Sequence, residues 1–387
     1  MRLIVIFILC ASQFSFSQDY GWTSNVDIEG VGRDDAVAFT FNKVVYLGMG
    51  NHGGFSQSNT FYGYDTRSSE WISVPQFPGV ARQYATVQTI EEKAYIIGGV
   101  DPSLNPINEV WEFDMDQQVW TQKNNFPFAA RWASSSFTIK GQIYVGTGRD
   151  TIDYFNDFWR YDPSSDSWTE VASFPLAPRF ETVGFALYNK GYCGLGKDSS
   201  ETLQDDLWQY SPETDSWSQK ADFPAGARWY AKAEVLNGWA FVGTGEDDLG
   251  NMQSDFWRYD PSKDIWDQAE SVPLPARRGV SSCAIPFYGI YWVSGLDDTY
   301  NRMTTISRYS IRFSFEPTFK LFYNTDSKSV FITQLPFETT VRIFNTQGKL
   351  MTELTDQQDH YEVNTSTWSK GVYVVTVFDQ SLKFMVR

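Results

Sequence analysis

Six arginines, Arg33, Arg82, Arg131, Arg179, Arg228 and Arg277, follow one another at intervals of 49, 49, 48, 49 and 49 residues. A beat held that closely means that one structural unit is built six times over, because equivalent spacing needs equivalent units. Other residues keep the same time. An apolar run ends in glycines at Gly48/Gly50, Gly98/Gly99, Gly146/Gly148, Gly194/Gly196 and Gly243/Gly245, with Ser294-Gly295 in the sixth place. Next comes Trp111-Glu112-Phe113-Asp114, with counterparts at 159–162, 208–211 and 257–260; the first repeat reads Tyr62-Gly63-Tyr64-Asp65. A second tryptophan stands seven residues after the inner aromatic of that segment: Trp71, Trp120, Trp168, Trp217 and Trp266. Each repeat therefore reads as four short strands. Strand a follows the arginine, b ends in the glycines, c holds the first tryptophan and d the second. Asp-Pro-Ser at 162–164 and 260–262 makes the c–d turn, where proline presets φ.

The ends of the array are legible too. Every strand-d tryptophan stands eleven residues before the next arginine, and Trp22 stands eleven before Arg33. The sixth repeat runs through Tyr309 but has no strand-d tryptophan of its own. Trp22 is thus expected to supply the missing outer strand of the sixth unit, which joins the two ends and covers an open edge. Four strands at a period near fifty resemble kelch repeats, and the resemblance covers residues 22–312. It implies an all-β chain: a six-bladed kelch β-propeller over 18–312, closed by its own N-terminal strand.

Around this array the composition sets bounds. The 31 basic and 47 acidic residues leave a net charge of −16, which repels phosphate backbones and argues against a nucleic-acid partner. Residues 1–17 have the form of a secretory signal peptide: Arg2, an apolar run from Leu3 to Ala11, and Ser15-Phe16-Ser17 as the cleavage site. Leu9 before Cys10 is a poor fit to a lipid-anchored cysteine. The apolar run is too short to span a bilayer, and no later segment is apolar enough to do so. Cleavage removes Cys10 and leaves Cys193 and Cys283 at different offsets in different repeats, expected as free, buried thiols.

After Ile311 the beat stops. Strand-like runs at 329–335, 340–345, 361–364, 372–378 and 382–386 are separated by Pro336, by Gln347-Gly348-Lys349 and by Gly371. The pattern predicts a small immunoglobulin-like β-sandwich over 313–387. The order Val341-Arg342-Ile343-Phe344-Asn345, Gly348-Lys349, Lys370-Gly371-Val372-Tyr373-Val374, then Lys383 to Arg387 resembles the type A C-terminal sorting domain of the type IX secretion system. One departure is Tyr323-Asn324-Thr325, where such domains often open with Asn-Pro. The resemblance implies a partner in the secretion machinery and a protein that is secreted or held at the outer-membrane surface.

For chemistry, residues that recur in every repeat are assigned to the fold and residues that vary at one equivalent position to function. The recurring arginines are expected to pair with Asp101, Asp150, Asp198 and Asp247, 19 residues later, and Asp297 stands 19 after Arg278. A carboxylate ring also suits calcium, yet there is no D-x-[DN]-x-[DN]-G loop, and no metal or other cofactor is expected. Glu109, Asp157, Asp206 and Asp255, two residues before the strand-c tryptophans, are expected to make turn bonds. The varying positions directly follow the arginines: Asp34, Gln83, Trp132, Phe180, Trp229 and Arg278, then Asp35, Tyr84, Ala133, Glu181, Tyr230 and Gly279. All but Ala133 and Gly279 are the candidate ligand-binding rim. Flat aromatics beside carboxylates and an arginine suit a sugar ring, and the variable b–c loops are a second place for binding. A copper radical oxidase is excluded, because His52 and His360 are the only histidines and the second lies in the tail. Two readings remain: a module that binds a glycan or a protein, and a metal-free sugar epimerase or mutarotase resembling the kelch-type N-acetylneuraminate epimerases. The latter needs an acid and a base, for which Glu181, Arg278, Asp34 and Asp35 are candidates.

Overall fold

The computed structural model describes residues 19–53, 56–286, 288–312, 320–324, 327–333, 341–345, 349–354, 360–377 and 380–386. The expected leader at 1–17 lies outside them. The chain divides into two compact units between residues 312 and 313.

In the first unit the described residues form six four-stranded antiparallel sheets. Their strands a are Val37–Phe41, Thr86–Ile90, Ser135–Ile139, Val183–Leu187, Lys232–Leu236 and Ser281–Ile285. Each strand a touches the strand a of the next sheet, and the sixth returns to the first, so the six line a central channel. Burial falls off outward. Strand b of the first sheet, Val44–Gly48, is buried at every position, as befits a short apolar run covered on both faces. Strand d alternates a half-buried tryptophan with exposed neighbours, as in Ser167–Val171. The cores lie between adjacent sheets: Phe39, Tyr46 and Phe61 of the first pack with Ile96 and Phe113 of the second. Glycine ends strand b because strand c crosses close by; a Cβ at Gly146 would meet the Phe158 ring at 2.2 Å.

The ring is closed by the N-terminal strand. Asp19–Asp27 pairs antiparallel with Thr305–Arg312, and Trp22 faces Tyr309 as Trp168 faces Tyr161 and Trp266 faces Tyr259. The indole N–H of Trp22 donates to the Glu270 carbonyl at 2.8 Å. Trp217 and Trp266 make the same bond to Ala172 and Ala221 of the preceding sheet.

The recurring arginines are at most 2% exposed, and their partners differ from the expectation. Arg131, Arg179 and Arg228 pair with Asp157, Asp206 and Asp255 at 2.6–2.7 Å, and Arg82 pairs with Glu109. The same carboxylates accept the indole N–H of Trp111, Trp159, Trp208 and Trp257. Asp101, Asp150, Asp198, Asp247 and Asp297 instead cap their own b–c loops; Asp247, for example, accepts the amides of Leu249 and Asn251. Equal spacing fits both carboxylates, but only the one at the foot of strand c lies within the arginine's reach. Each guanidinium also donates to the carbonyl at the end of strand b, such as Arg131 to Thr147 and Arg228 to Thr244. That bond draws the d–a and b–c loops together on one face of the ring. Cys193 and Cys283 are buried and unpaired.

The second unit holds two antiparallel sheets. One is Lys320–Asn324, Ser329–Thr333 and His360–Asn364; the other is Leu350–Leu354, Val341–Asn345, Gly371–Val377 and Gln380–Val386. Val330, Ile332, Val341, Ile343 and Val375 share one core. Two of these strands were absent from the expected pattern. Leu350–Leu354 reads Leu-Met-Thr-Glu-Leu, helix formers but for Thr352, and its hairpin with Val341–Asn345 makes it an edge strand. Lys320–Asn324 is likewise an edge among the described residues, where it pairs with Ser329–Thr333. Among the described residues no helix is long and apolar enough to cross a membrane.

Two stability measurements check these assignments. Asp157→Asn removes the counterion of a buried guanidinium and is expected to cost about 3 kcal/mol in urea unfolding, whereas Asp150→Asn is expected to cost about 1 kcal/mol. Trp22→Ala opens the closing strand and is expected to cost about 3–5 kcal/mol.

Candidate functional site

The second residue after each arginine has a left-handed backbone: Asp35 at φ 52°, Tyr84 at 57°, Ala133 at 54°, Glu181 at 53°, Tyr230 at 56° and Gly279 at 60°. Five of the six carry a side chain that disfavours this region. The return is a belt of backbone bonds around the channel mouth. Asp35 donates to the Gly279 carbonyl, Tyr84 to Asp35, Ala133 to Tyr84 and Glu181 to Ala133, at 2.8–3.1 Å.

Opposite sheets put like residues opposite. Tyr84 and Tyr230 face each other across the channel with ring centres 6.3 Å apart. Asp35 faces Glu181, and Ala133 faces Gly279. Burial pushes the Asp35 carboxyl well up, helped by the charges of Asp34 and Glu181 and opposed by Arg278 and Lys232. Burial likewise pushes Glu181 up to about 7, against Lys232 and Arg278. Deeper in the channel wall, Glu234 is raised to about 7 by burial, although it accepts a 2.8 Å bond from the Ser282 hydroxyl. Burial works against the Arg278 charge, but Tyr230, Asp35 and Glu246 outweigh it and hold the guanidinium ionised.

The first residues after the arginines do not enter strand a. They bridge to the first residue of the b–c loop: Asp34 to Asn51, Gln83 to Val100, Trp132 to Arg149, Phe180 to Lys197, Trp229 to Glu246 and Arg278 to Leu296. The candidate rim therefore splits. Asp34 is buried and bound to Arg302 at 2.7 Å, Gln83 is buried, and Arg278 pairs with Glu246 at 2.9 Å and lies over the Tyr230 ring. Asp34 and Arg278 are thus engaged in ion pairs, while the buried Gln83 Oε1 has no hydrogen-bond partner among the described residues. Trp132, Phe180 and Trp229, from three successive sheets, line a single depression of about 290 Å³ with Tyr84, Glu181 and Tyr230 at its floor. The Phe180 and Trp229 rings meet edge to face at 5.9 Å.

Of the further residues of this depression, Arg149 and Lys197 escaped the sequence analysis, whereas Glu201 lies in the variable b–c loop at 198–204 named there as a second place for binding. The Arg149 guanidinium lies 5.6 Å from the centre of Trp132 and 5.1 Å from that of Phe180, and the Lys197 ammonium lies 4.6 Å from Trp229. Lys197 pairs with Glu201 at 2.5 Å, and Glu201 accepts the Tyr154 hydroxyl. Their signal was available: the residue after the strand-b glycines varies as Asn51, Val100, Arg149, Lys197, Glu246 and Leu296. Glu234 was also signalled, since it stands where the first, third and fourth repeats have Phe39, Phe137 and Phe185. Among the described residues no group of three or more His, Cys, Asp or Glu is placed to hold a metal ion.

Residues 17–180 match the model of the KLHDC2/KLHL20/DRC7 Kelch-repeats domain, and residues 324–387 match that of the Secretion system C-terminal sorting domain. The chain carries kelch repeats and a sorting domain. The structure of YjhT is similar, with a TM-score of 0.62 at 15% identity over 73% of this chain and 95% of that one. At that identity the likeness speaks for the kelch-type propeller fold alone. No curated protein matches the sequence. The sorting domain directs this kelch propeller through type IX secretion to the cell surface or the extracellular space.

Glu181 makes the site's electrostatics measurable. Its folded pKa lies above the ordinary 4.5, so the folded state holds the proton more tightly and its contribution to stability is lost as pH rises from about 4.5 through about 7. Glu181→Gln is therefore expected to be more stable than the parent at pH 8, by up to about 3 kcal/mol. The difference should shrink to about 1 kcal/mol near pH 5 and vanish below about pH 4 in unfolding curves across that range.

Proposed function

We propose that the protein is an exported glycan-binding module. It comprises a signal peptide at 1–17, a six-bladed propeller over 18–312 closed by Trp22, and an immunoglobulin-like sorting sandwich over 313–387. The observation that carries the reading is the convergence of Trp132, Phe180 and Trp229 from three blades on one depression that Glu181, Tyr84 and Tyr230 also line. Aromatic faces accept the CH face of a sugar, and the carboxyl and hydroxyls accept and donate to its ring hydroxyls. The floor is rigid because the left-handed belt fixes it, which lowers the cost of ordering a ligand.

A second reading is the sugar epimerase or mutarotase. Glu181 favours it, since a carboxyl raised to about 7 in a half-enclosed site both gives and takes a proton near neutral pH. In this reading Asp35, across the channel, and Arg278 are the remaining acid–base and anion-recognition candidates, while Asp34, held by Arg302, drops out.

Screening the protein on a glycan array, with Trp132→Ala and Trp229→Ala alongside, tests the first reading. Each variant is expected to weaken any glycan found by at least about tenfold, that is about 1.4 kcal/mol; unchanged affinity in both refutes the site. Proton NMR of N-acetylneuraminate anomers separates the readings, because a binding module leaves their exchange rate unchanged and an epimerase speeds it. Deleting residues 313–387 is expected to strand the propeller in the periplasm; normal appearance in the medium would disprove the assigned role of the tail.

A further inference from the structure

The propeller face that carries the depression has a second chemical character, independent of any sugar. Twelve large apolar side chains of the propeller are exposed among the described residues, and eight of them lie on b–c and d–a loops, the loops of this one face. Singly scattered apolar residues are ordinary on a surface; concentration on one face is not. Four sit two or three residues after the loop aspartate, at the tips of b–c loops: Leu104, Ile152, Leu249 and Tyr300, exposed by 51, 83, 80 and 72%.

These tips are held in shape. Leu104 and Tyr300 are left-handed, at φ 65° and 61°. Their amides donate to the carbonyls of Asp101 and Asp297 at 2.9 Å. The carboxylates of the same two aspartates bind the amides on either side. An apolar side chain is thus presented to solvent on a loop already ordered, so little freedom remains to be lost on contact.

The charge between the tips has one sign. The segments 100–108, 149–156, 197–205, 246–254 and 296–304 hold eleven carboxylates and three cations. The three cations are engaged within the protein: Arg149 over Trp132 and Phe180, Lys197 with Glu201, and Arg302 with Asp34. Asp153, Asp248 and Asp298 are exposed beside the apolar tips. Between the loops of the fourth and fifth sheets runs a groove lined by Trp229 and Leu249, by the carboxylates Glu201, Asp247 and Asp248, and by Lys197, which pairs with Glu201.

We infer that this crown of loop tips docks a cationic polypeptide segment bearing apolar side chains, its basic groups against the loop carboxylates and its apolar groups against Leu104, Ile152, Leu249 and Tyr300. Charge complementarity selects this occupant: an acidic segment is repelled, and an uncharged one leaves the carboxylates unused. The groove shares Trp229, Lys197 and Glu201 with the aromatic depression, but none of the four apolar tips lines that depression, and the inference does not depend on the sugar reading.

The test uses the full chain and three synthetic peptides of one length, alternating Lys/Leu, Lys/Ser and Glu/Leu, with binding read by fluorescence anisotropy. The comparison protein is the combined variant Leu104→Ser, Ile152→Ser, Leu249→Ser and Tyr300→Ser, whose changes are all at exposed positions; an unchanged thermal transition verifies its fold. The Lys/Leu peptide is expected to bind at least about tenfold more tightly than Lys/Ser, to lose that advantage in the combined variant, and to weaken as salt is raised. Trp132→Ala is expected to leave it unchanged. Equal binding of Lys/Leu and Lys/Ser, equal binding of Glu/Leu, or full retention by the combined variant overturns the inference. So does self-association in sedimentation that the four substitutions abolish, because the crown would then pair two copies of the chain.

Discussion

A guanidinium out of water is tolerated when its N–H groups find acceptors and its charge a counterion. This chain meets that condition by joining an arginine, a carboxylate and a tryptophan in four of its six sheets. Each such unit ties the start of strand a to the end of strand b and the foot of strand c. The loops that form the functional face therefore start from fixed points. The first and sixth sheets, which flank the closure, lack the carboxylate. Arg33 instead lies over the Tyr62 ring, and Arg277 finds the Thr305 hydroxyl and the Pro273 carbonyl. With less compensation, burial brings Arg277 down to about 10.

Because the loops start from equivalent points, differences between them can be read as differences in chemistry. The channel mouth has approximate two-fold character, with tyrosine against tyrosine, carboxyl against carboxyl and small residue against small residue. The outer ring breaks it. Sheets three to five carry aromatics with Arg149 and Lys197 laid over them, while sheets six and one carry ion pairs. The aromatic character of the mouth therefore lies on one side of the axis.

Much of the fold was legible because repetition averages out local ambiguity: six arginines and five strand-d tryptophans at constant spacing identify the strands, and the absent sixth tryptophan points to Trp22. The same repetition misled on the arginine's partner. Asp150 and Asp157 recur equally well, and spacing alone does not tell which carboxylate faces inward. At the site, sequence located the varying positions beside the arginines but not their split into a buried, bridged residue and a left-handed one, because that depends on backbone conformation. Arg149 and Lys197 stand directly after the strand-b glycines, where the repeat pattern reads as the end of a strand and not as a binding loop. In the tail, the edge strand Leu350–Leu354 has no strand character of its own and is placed by its hairpin partner.

The strand that closes the ring is the first of the propeller to be synthesised, and its partner, Thr305–Arg312, is the last. Every intermediate length of chain is thus an open arc with two unpaired edges, and the final pairing spans the whole propeller, a contact of the longest range the unit allows. Closure is in effect a completeness check. A chain that ends early, or whose first strand is still held elsewhere, has no finished ring, and its outer edge stays open to other strands.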